Sequence, residues 1–120
     1  MRGNGVRVLV VGAGIAGLAA TRTLHEWGAS VEIIDRQPTP PLEGTGIFLP
    51  GNSVRALGTL GLGDEVAGRA TAIHRQRTLD HRGRTLFEVE TDDLWSGVAP
   101  CLALPRADLH QALLAGVRDV

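Results

Sequence analysis

A glycine-rich hexapeptide near the N-terminus constrains the fold of this chain more than any other feature. It consists of Gly12, Ala13, Gly14, Ile15, Ala16 and Gly17, which fit the pattern G-x-G-x-x-G. Such hexapeptides are common by chance, so the flanking sequence decides their meaning. The apolar, β-branched run Val6–Val11 predicts a strand before the hexapeptide, and residues 15–27 have helical spacing after it. This order is typical of a dinucleotide-binding unit.

The residues that follow complete a βαβ unit over residues 6–36. Gly28 is typical of a helix C-terminus, and Val31–Ile34 is a second apolar, β-branched run. A right-handed crossover through one helix makes the two strands parallel neighbours. The second strand ends at Asp35 and Arg36, about 20 residues after the hexapeptide, where such a unit places the acidic residue that binds ribose.

Each glycine of the hexapeptide has a separate physical task. Gly12 permits the tight turn, Gly14 lets the backbone approach a pyrophosphate, and Gly17 allows the helix to pack closely on the strand. The first N–H groups of the helix have no partners within it and attract phosphate, and the helix dipole adds to this attraction. We expect Asp35 to accept hydrogen bonds from the two adenosine ribose hydroxyls.

The spacing does not by itself separate NAD, NADP and FAD. Asp35 suits a free ribose 2′-hydroxyl and repels a 2′-phosphate, although the adjacent Arg36 partly offsets that repulsion. NADP is therefore the least favoured of the three cofactors.

The remaining sequence predicts short elements outside the βαβ unit. Residues 37–46 contain three prolines and two glycines and predict an irregular loop. We expect a helix capped by Asn52 or Ser53 that runs to Leu60, with another short helical turn beginning at 61–64. Later elements are a hairpin of residues 72–79 and 84–90 around Gly83, a short strand at 101–104 and a helix at 106–117.

Composition and charge exclude several classes of protein. A chain of 120 residues with 43% hydrophobic and 21% charged residues is expected to fold as one domain or a piece of one. Twelve basic and thirteen acidic residues give no electrostatic attraction to nucleic acid. No apolar run approaches the roughly 20 residues that a membrane span needs. Cys101 is the only cysteine, which excludes an internal disulfide and favours a cytoplasmic location.

Two further sets of polar residues are interpreted as surface features. The four histidines have no metal-ligand spacing and are expected to face solvent or to lie in the hairpin; they are His25, His74, His81 and His110. Five arginines are expected to form a solvated hairpin face or to meet another domain; they are Arg69, Arg75, Arg77, Arg82 and Arg84. We expect no metal site and identify no catalytic residue.

Three stretches of the chain together resemble one protein family. They are Val8–Arg36 with the hexapeptide, residues 44–62 with Gly44-Thr45-Gly46-Ile47-Phe48-Leu49-Pro50-Gly51-Asn52, and Leu104–His110 with Arg106 at a helix start. In this order they resemble the N-terminal part of the FAD domain of FAD-dependent aromatic hydroxylases, the single-component flavoprotein monooxygenases. The resemblance implies an α/β fold with a Rossmann-like βαβ unit of glutathione-reductase type, incomplete and accompanied by an antiparallel hairpin.

The resemblance also implies a cofactor and a reaction. FAD is the cofactor, NAD(P)H is a transient reductant, and the full enzyme hydroxylates an aromatic or related small molecule. Asp35 and Arg36 are expected to flank the adenosine, and Arg106 to reach the phosphate and ribityl region, where a guanidinium suits phosphate oxygens. The Gly44–Leu49 loop, with Gly46, is expected to lie near the isoalloxazine. One departure from the family's pattern is Asp35 in place of the more usual glutamate.

By the same resemblance, residues 1–120 correspond to the N-terminal portion of a single FAD-binding domain. The family's later Asp-Gly and Gly-Asp motifs and its substrate-binding sheet would follow residue 120. Expressed alone, the chain is expected to bind FAD weakly or not at all and not to turn over. It is also expected to associate with a missing C-terminal portion or with itself, because a two-stranded parallel sheet leaves apolar edges exposed.

Two other functions stay open at the level of sequence. In one alternative the chain is a non-catalytic dinucleotide-binding fragment, or a regulatory remnant, that needs a partner chain. In the other it is a fragment of an NAD-linked dehydrogenase, which equilibrium dialysis would indicate by retention of NAD but not FAD.

Overall fold

The computed structural model describes residues 3–40 and 44–118 and has a mixed α/β architecture. In chain order the elements are β1 (Arg7–Val11), α1 (Ile15–Glu26), β2 (Ser30–Ile34), β3 (Gly46–Leu49), α2 (Gly51–Thr59), α3 (Gly63–Arg69), β4 (Thr71–Ile73), β5 (Arg75–Leu79), β6 (Thr85–Glu90), α4 (Thr91–Leu94), β7 (Cys101–Pro105) and α5 (Arg106–Arg118). The first of two compact units holds the described residues up to Thr45 and those from Arg106 onward, and the second is Gly46–Pro105. Among the described residues, no helix has the length and apolar character needed to cross a membrane.

The first unit is built on the βαβ arrangement that the sequence predicts. β1 and β2 pair in parallel along their whole length, and α1 connects them. The chain turns out of β1 at Gly12, with φ +106°, and out of α1 at Gly28, with φ +102°. Both values lie in the left-handed region where glycine is favoured, so both predicted turn positions are confirmed.

The core of the first unit lies between α1 and α5. Its most deeply buried apolar side chains are Leu18, Leu109, Ala112 and Leu113. The three from α5 recur at steps of three and one residues, which places them on one face of the helix. Thr21 of α1 is also buried, and its hydroxyl donates to the Gly17 carbonyl oxygen at 2.9 Å, so this buried polar group is satisfied.

One face of the parallel sheet is exposed and carries three large apolar side chains. Leu9, Val11 and Ile34 are 57%, 76% and 46% exposed, whereas Val10 and Ile33 are half-buried. The alternation follows from the period of two along a strand, because side chains on one face pack inward and those on the other do not. The exposed apolar surface expected for a two-stranded parallel sheet is therefore present.

The second unit contains two antiparallel sheets. β7 lies between β3 and β4 in one sheet, and β5 pairs with β6 in the other. The buried apolar residues of this unit are Leu49, Leu57, Leu62, Val66, Cys101, Leu102 and Leu104. The predicted antiparallel hairpin is confirmed in β5 and β6, and Gly83 in its turn has φ +82°.

One strand prediction and one loop prediction are wrong in the second unit, and one helix there was missed. Residues 72–79 are not one strand, because the chain breaks at His74 and continues into the other sheet. Thr91 holds the break: its N–H donates to the His74 carbonyl oxygen at 3.0 Å, and its hydroxyl donates to the Ile73 carbonyl oxygen at 2.6 Å. Gly46–Leu49 is a strand rather than a loop, because distant β7 supplies its partner. The short helix α4 was not predicted.

The arginines of the hairpin are balanced by carboxylates. The cross-strand and turn pairs are Arg75 with Glu90 at 2.6 Å, Arg77 with Glu88, and Arg84 with Asp80 at 3.0 Å. All three guanidinium groups are more than half exposed, so water screens these pairs and they add little to stability. This exposure fits both predictions for the arginines, a solvated hairpin face and a surface that meets another domain.

Candidate cofactor site

The first unit contains a cavity of about 1010 Å³ at the carboxyl ends of β1 and β2. Its walls come mainly from the loop at 12–14, from residues 34–40, and from Arg106, His110 and Leu114 on α5. Ligand pockets usually measure about 300–1,000 Å³, so this cavity has room for a large ligand. Crevices at the carboxyl ends of parallel strands are the usual ligand sites of open α/β sheets.

Backbone geometry shows what each glycine of the loop does. At Gly12 the backbone is left-handed. A Cβ on Gly17 would lie 1.8 Å from the Gly12 carbonyl oxygen, so any side chain there collides with the loop. Gly14 has φ −79° and ψ −173°, which any residue adopts, and a Cβ there would meet no protein atom within 4 Å. Backbone conformation therefore requires Gly12 and packing requires Gly17, whereas the space beside Gly14 is free for a ligand.

The start of α1 is not capped by the protein itself. Gly14 is the N-cap residue and offers no side chain, and the first turn contains no acidic residue. The first backbone N–H groups of a helix have no partners within it, and the helix dipole attracts negative charge to them. Ile15 and Ala16 lie in this turn, directly after the part of the loop that lines the cavity. The helix start therefore fits a phosphate or diphosphate group.

The Asp35 carboxylate lies beside the glycine-rich loop and contacts it. Its Oδ1 accepts a hydrogen bond from the Gln37 N–H at 2.7 Å, and its Oδ2 accepts one from the Ala13 N–H at 2.8 Å. The hydrogen bonds from Gln37 and Ala13 hold the pKa of Asp35 below its ordinary value of 3.8, so the carboxylate is ionised at neutral pH. Each oxygen keeps a lone pair for a further donor, such as a ribose hydroxyl.

Replacing Asp35 with asparagine tests this carboxylate through pH. Because the pKa of Asp35 is lower in the folded chain than in the unfolded chain, ionisation stabilises the fold. This contribution is fully present above the unfolded value, near 3.8, and is lost as the pH falls through the lower folded value. Wild type should exceed Asp35→Asn in free energy of unfolding at neutral pH, and the difference should shrink below pH 3.8. Urea unfolding at a series of pH values measures it, and a pH-independent difference would contradict the assignment.

Two arginines line the same cavity. Arg36 follows Asp35 directly, and Arg106 is the first residue of α5, where its N–H donates to the Thr45 carbonyl oxygen at 3.0 Å. Both side chains are exposed, and a guanidinium is well suited to phosphate oxygens. The fold thus brings Arg106 into one cavity with Asp35 and the glycine-rich loop, although these residues are far apart in the sequence.

Gly46 lies in the second unit. It is the first residue of β3 and pairs with Pro105 of β7. A Cβ there would meet the Leu104 carbonyl oxygen at 3.8 Å, which is an ordinary contact, so packing within the unit does not require glycine. Its position near an isoalloxazine stays a prediction.

His110 is a cavity residue that the sequence analysis placed at the surface. It is only 8% exposed, and its Nε2 lies 2.7 Å from the Ala13 carbonyl oxygen. The signal that identifies it is helical spacing, because Arg106, His110 and Leu114 are four residues apart and share one face of α5. The other three histidines are exposed as expected; they are His25, His74 and His81.

The cavity combines groups that fit two parts of a dinucleotide. The start of α1 and the two arginines favour a diphosphate, and Asp35 favours a ribose diol over a 2′-phosphate. Among residues 3–40 and 44–118, no group of three or more His, Cys, Asp or Glu residues is arranged to hold a metal ion. The fold and the cavity therefore define an α/β protein with a site for a dinucleotide.

The chain belongs to the FAD binding domain family, which it matches over residues 5–119. Its relatives include 3-amino-4-hydroxybenzoate 2-monooxygenase from Streptomyces cremeus, 37% identical over 113 residues, and phenazine 1,6-dicarboxylic acid hydroxylase from Lysobacter antibioticus, 35% identical over 115 residues. The alignments cover 90% and 93% of this chain but only 28% of each relative, so the chain spans less than a third of their length. The resemblance to flavin-dependent hydroxylases is confirmed.

Solved structures of an oxygenase and of an FAD complex superpose on nearly the whole chain. A 2-methyl-3-hydroxypyridine-5-carboxylic acid oxygenase has a TM-score of 0.79 at 28% identity, covering 95% of this chain and 29% of that one. A variant of Klebsiella pneumoniae HpxO complexed with FAD has a TM-score of 0.73 at 26% identity, covering 92% and 28%. The prediction that FAD is the cofactor is confirmed by the family and by this FAD complex.

Proposed function

We propose that this chain is the FAD-binding part of a flavin-dependent monooxygenase, and that its first unit is a Rossmann-like βαβ portion of glutathione-reductase type. The observation that carries the proposal is the cavity in which the glycine-rich loop, Asp35 and Arg106 meet. Residues from three places in the sequence supply there a phosphate-binding helix start, a ribose-binding carboxylate and a cation. The family membership and the names of the relatives support the same function.

Each residue of the proposed site has a role in holding FAD. The N–H groups of residues 14–16, at the start of α1, donate to the diphosphate. Asp35 accepts hydrogen bonds from the adenosine ribose hydroxyls, and Arg36 flanks the adenosine. Arg106 offers its guanidinium to the phosphate oxygens. The site thus binds the polar half of the cofactor through fixed backbone groups and three charged side chains.

The reaction itself is assigned to the whole enzyme. FAD supplies the hydride and O₂ chemistry when bound, and the protein orients it and excludes water. We assign an aromatic or related small molecule as the substrate, because the relatives are named for a hydroxybenzoate and a phenazine. NAD(P)H is assigned as the reductant from the resemblance to flavoprotein monooxygenases. Since this chain spans 28% of those relatives, we expect it alone to bind FAD weakly and not to oxidise NAD(P)H.

Titration of the ¹⁵N-labelled chain with FAD tests the proposed site residue by residue. Amide signals of residues 12–17 and 35–37 should shift, because residues 12–14 and 35–37 line the cavity and residues 15–17 follow directly, whereas those of the hairpin, residues 75–90, should not. ADP should reproduce most of the shifts, since it carries the adenosine, ribose and diphosphate that the site is proposed to hold. Chemical shifts report even millimolar binding, so weak affinity does not hide the result.

Nicotinamide dinucleotides are the controls for cofactor choice. Asp35 disfavours a 2′-phosphate, so NADP⁺ should bind more weakly than NAD⁺, and FAD should bind most tightly. Binding of NAD⁺ without FAD would favour the NAD-linked dehydrogenase instead. Shifts confined to the hairpin would overturn the proposed site.

A further inference from the structure

Ala13 is hydrogen-bonded at both of its backbone polar groups, although it lies between two glycines. Its N–H donates to Oδ2 of Asp35 at 2.8 Å, and its carbonyl oxygen lies 2.7 Å from Nε2 of His110. Asp35 follows β2 and His110 lies on α5, so two different elements hold the loop. Because a carbonyl oxygen only accepts hydrogen bonds, Nε2 of His110 carries the proton and donates it.

The imidazole of His110 is fixed by the core of the first unit. His110 is 92% buried, and the adjacent Leu109 is 1% exposed. Its other nitrogen, Nδ1, is buried and has no hydrogen-bond partner in the part of the chain that the structure describes. The bond from Nε2 to Ala13 is therefore the polar contact that this ring makes within those residues. Breaking it would leave a buried donor and the Ala13 carbonyl unpaired, which is costly.

The hydrogen bond from His110 matters because the glycine-rich loop is intrinsically flexible. Glycine has more conformational freedom to lose than any other residue, and Gly12 and Gly14 flank Ala13. The peptide that follows Ala13 has to keep one orientation if the next N–H groups are to face a phosphate. Asp35 holds the N–H side of Ala13, and His110 holds the carbonyl side, immediately before Gly14.

We propose that His110 is a positioning residue for FAD, which orders the glycine-rich loop by holding the Ala13 carbonyl. The inference rests on the proposed function, since it concerns the same site. A loop ordered before binding loses less entropy when the ligand arrives, so affinity rises without a new contact to the ligand.

Two substitutions at position 110 separate the hydrogen bond from packing. His110→Gln keeps an N–H donor at the same number of bonds from Cα, whereas His110→Leu keeps an apolar side chain and removes the donor. We expect His110→Leu to weaken FAD binding about tenfold and His110→Gln to stay within about threefold of wild type. His25→Leu makes the same change at an exposed position of α1 and should bind FAD as wild type does.

Two measurements on the FAD-free chain report the hydrogen bond itself. The ring ¹⁵N shifts of wild-type His110 give its tautomer, which should carry the proton on Nε2. Amide hydrogen exchange at Ala13 and Gly14 should be about tenfold faster in His110→Leu than in wild type, with a smaller change within α5. Should His110→Leu fail to fold, His110→Gln and the wild-type tautomer decide the question.

The outcomes separate this inference from the proposed function. If residues 12–17 of wild type do not respond even to millimolar FAD or ADP, the proposed diphosphate site fails and the inference fails with it. If wild type binds FAD but His110→Leu binds it equally well, only the inference fails. The same holds if His110→Gln loses as much affinity as His110→Leu. A proton on Nδ1 instead of Nε2 overturns the inference directly, because nothing is then donated to Ala13.

Discussion

Gly17→Ala should abolish the native first unit. A methyl group at this position would lie 1.8 Å from the Gly12 carbonyl oxygen and 3.0 Å from its carbonyl carbon. Both are backbone atoms, so no side-chain rotation relieves the overlap, and either α1 or the glycine-rich loop has to move. Overpacking usually costs about 1–3 kcal/mol. Displacing backbone costs more, and a small domain has only about 5–15 kcal/mol of stability in total.

Urea unfolding followed by circular dichroism measures this loss, with Gly68→Ala as the matched control. Gly68 is an exposed residue of α3 where a Cβ would meet no atom within 4 Å. Alanine is preferred to glycine within a helix by roughly 0.5–1 kcal/mol, so the control should be slightly stabilised. The change from glycine to alanine should thus lower stability at position 17 and raise it slightly at position 68. Equal unfolding midpoints for Gly17→Ala and wild type would contradict the observed contact of helix and loop.

Gly14→Ser should keep the fold and remove FAD binding. The backbone at Gly14 is extended, and a Cβ there meets no protein atom within 4 Å, so serine introduces no strain. Serine is among the best N-cap residues, and its hydroxyl would satisfy an N–H of the first turn; we therefore expect stability equal to wild type or a few tenths of a kcal/mol higher. The same side chain occupies the space and the donor that the diphosphate needs. FAD affinity should fall about a hundredfold, roughly 2.7 kcal/mol.

Measurements of unfolding and of FAD titration on the same variant check that stability is kept while FAD affinity is lost. The Gly14→Ser chain should unfold at the wild-type urea concentration or above it, and its amide signals at residues 12–17 should no longer respond to FAD. Gly14→Ala is the control for size, because it adds the Cβ without the competing hydroxyl. Unchanged FAD affinity in Gly14→Ser would show that the diphosphate does not bind at the start of α1.

Local sequence determines most of the first unit. The strand, the glycine turn and the helix are set by short-range periodicity and by left-handed glycines, so β1, α1 and β2 lie within a residue of their expected bounds. The second unit was less predictable because its strands are defined by distant partners. Gly46–Leu49 becomes a strand only beside β7, and the break at His74 depends on Thr91. Neither partner is visible in a short window of sequence.

The residues of the candidate site also differ in whether local sequence predicts them. The glycine-rich loop and Asp35 follow from one motif and one spacing, since they belong to a single βαβ unit. Arg106 was predicted as a site residue only through the family resemblance, because no local sequence pattern connects it with β2. His110 was missed because the burial of a histidine depends on what packs around it, and only its spacing from Arg106 marks it.

The hydrogen bond between the Thr45 carbonyl and the Arg106 N–H joins the points where the polypeptide leaves the first unit and returns to it. Residues 46–105 therefore have the topology of an insertion whose two ends are joined by a hydrogen bond. Doubling the length of such an insertion costs only about 0.6 kcal/mol more in loop-closure entropy. During translation, however, α5 emerges only after residues 46–105. Until then, β1, α1 and β2 of the nascent chain lack the wall of the cavity that α5 provides.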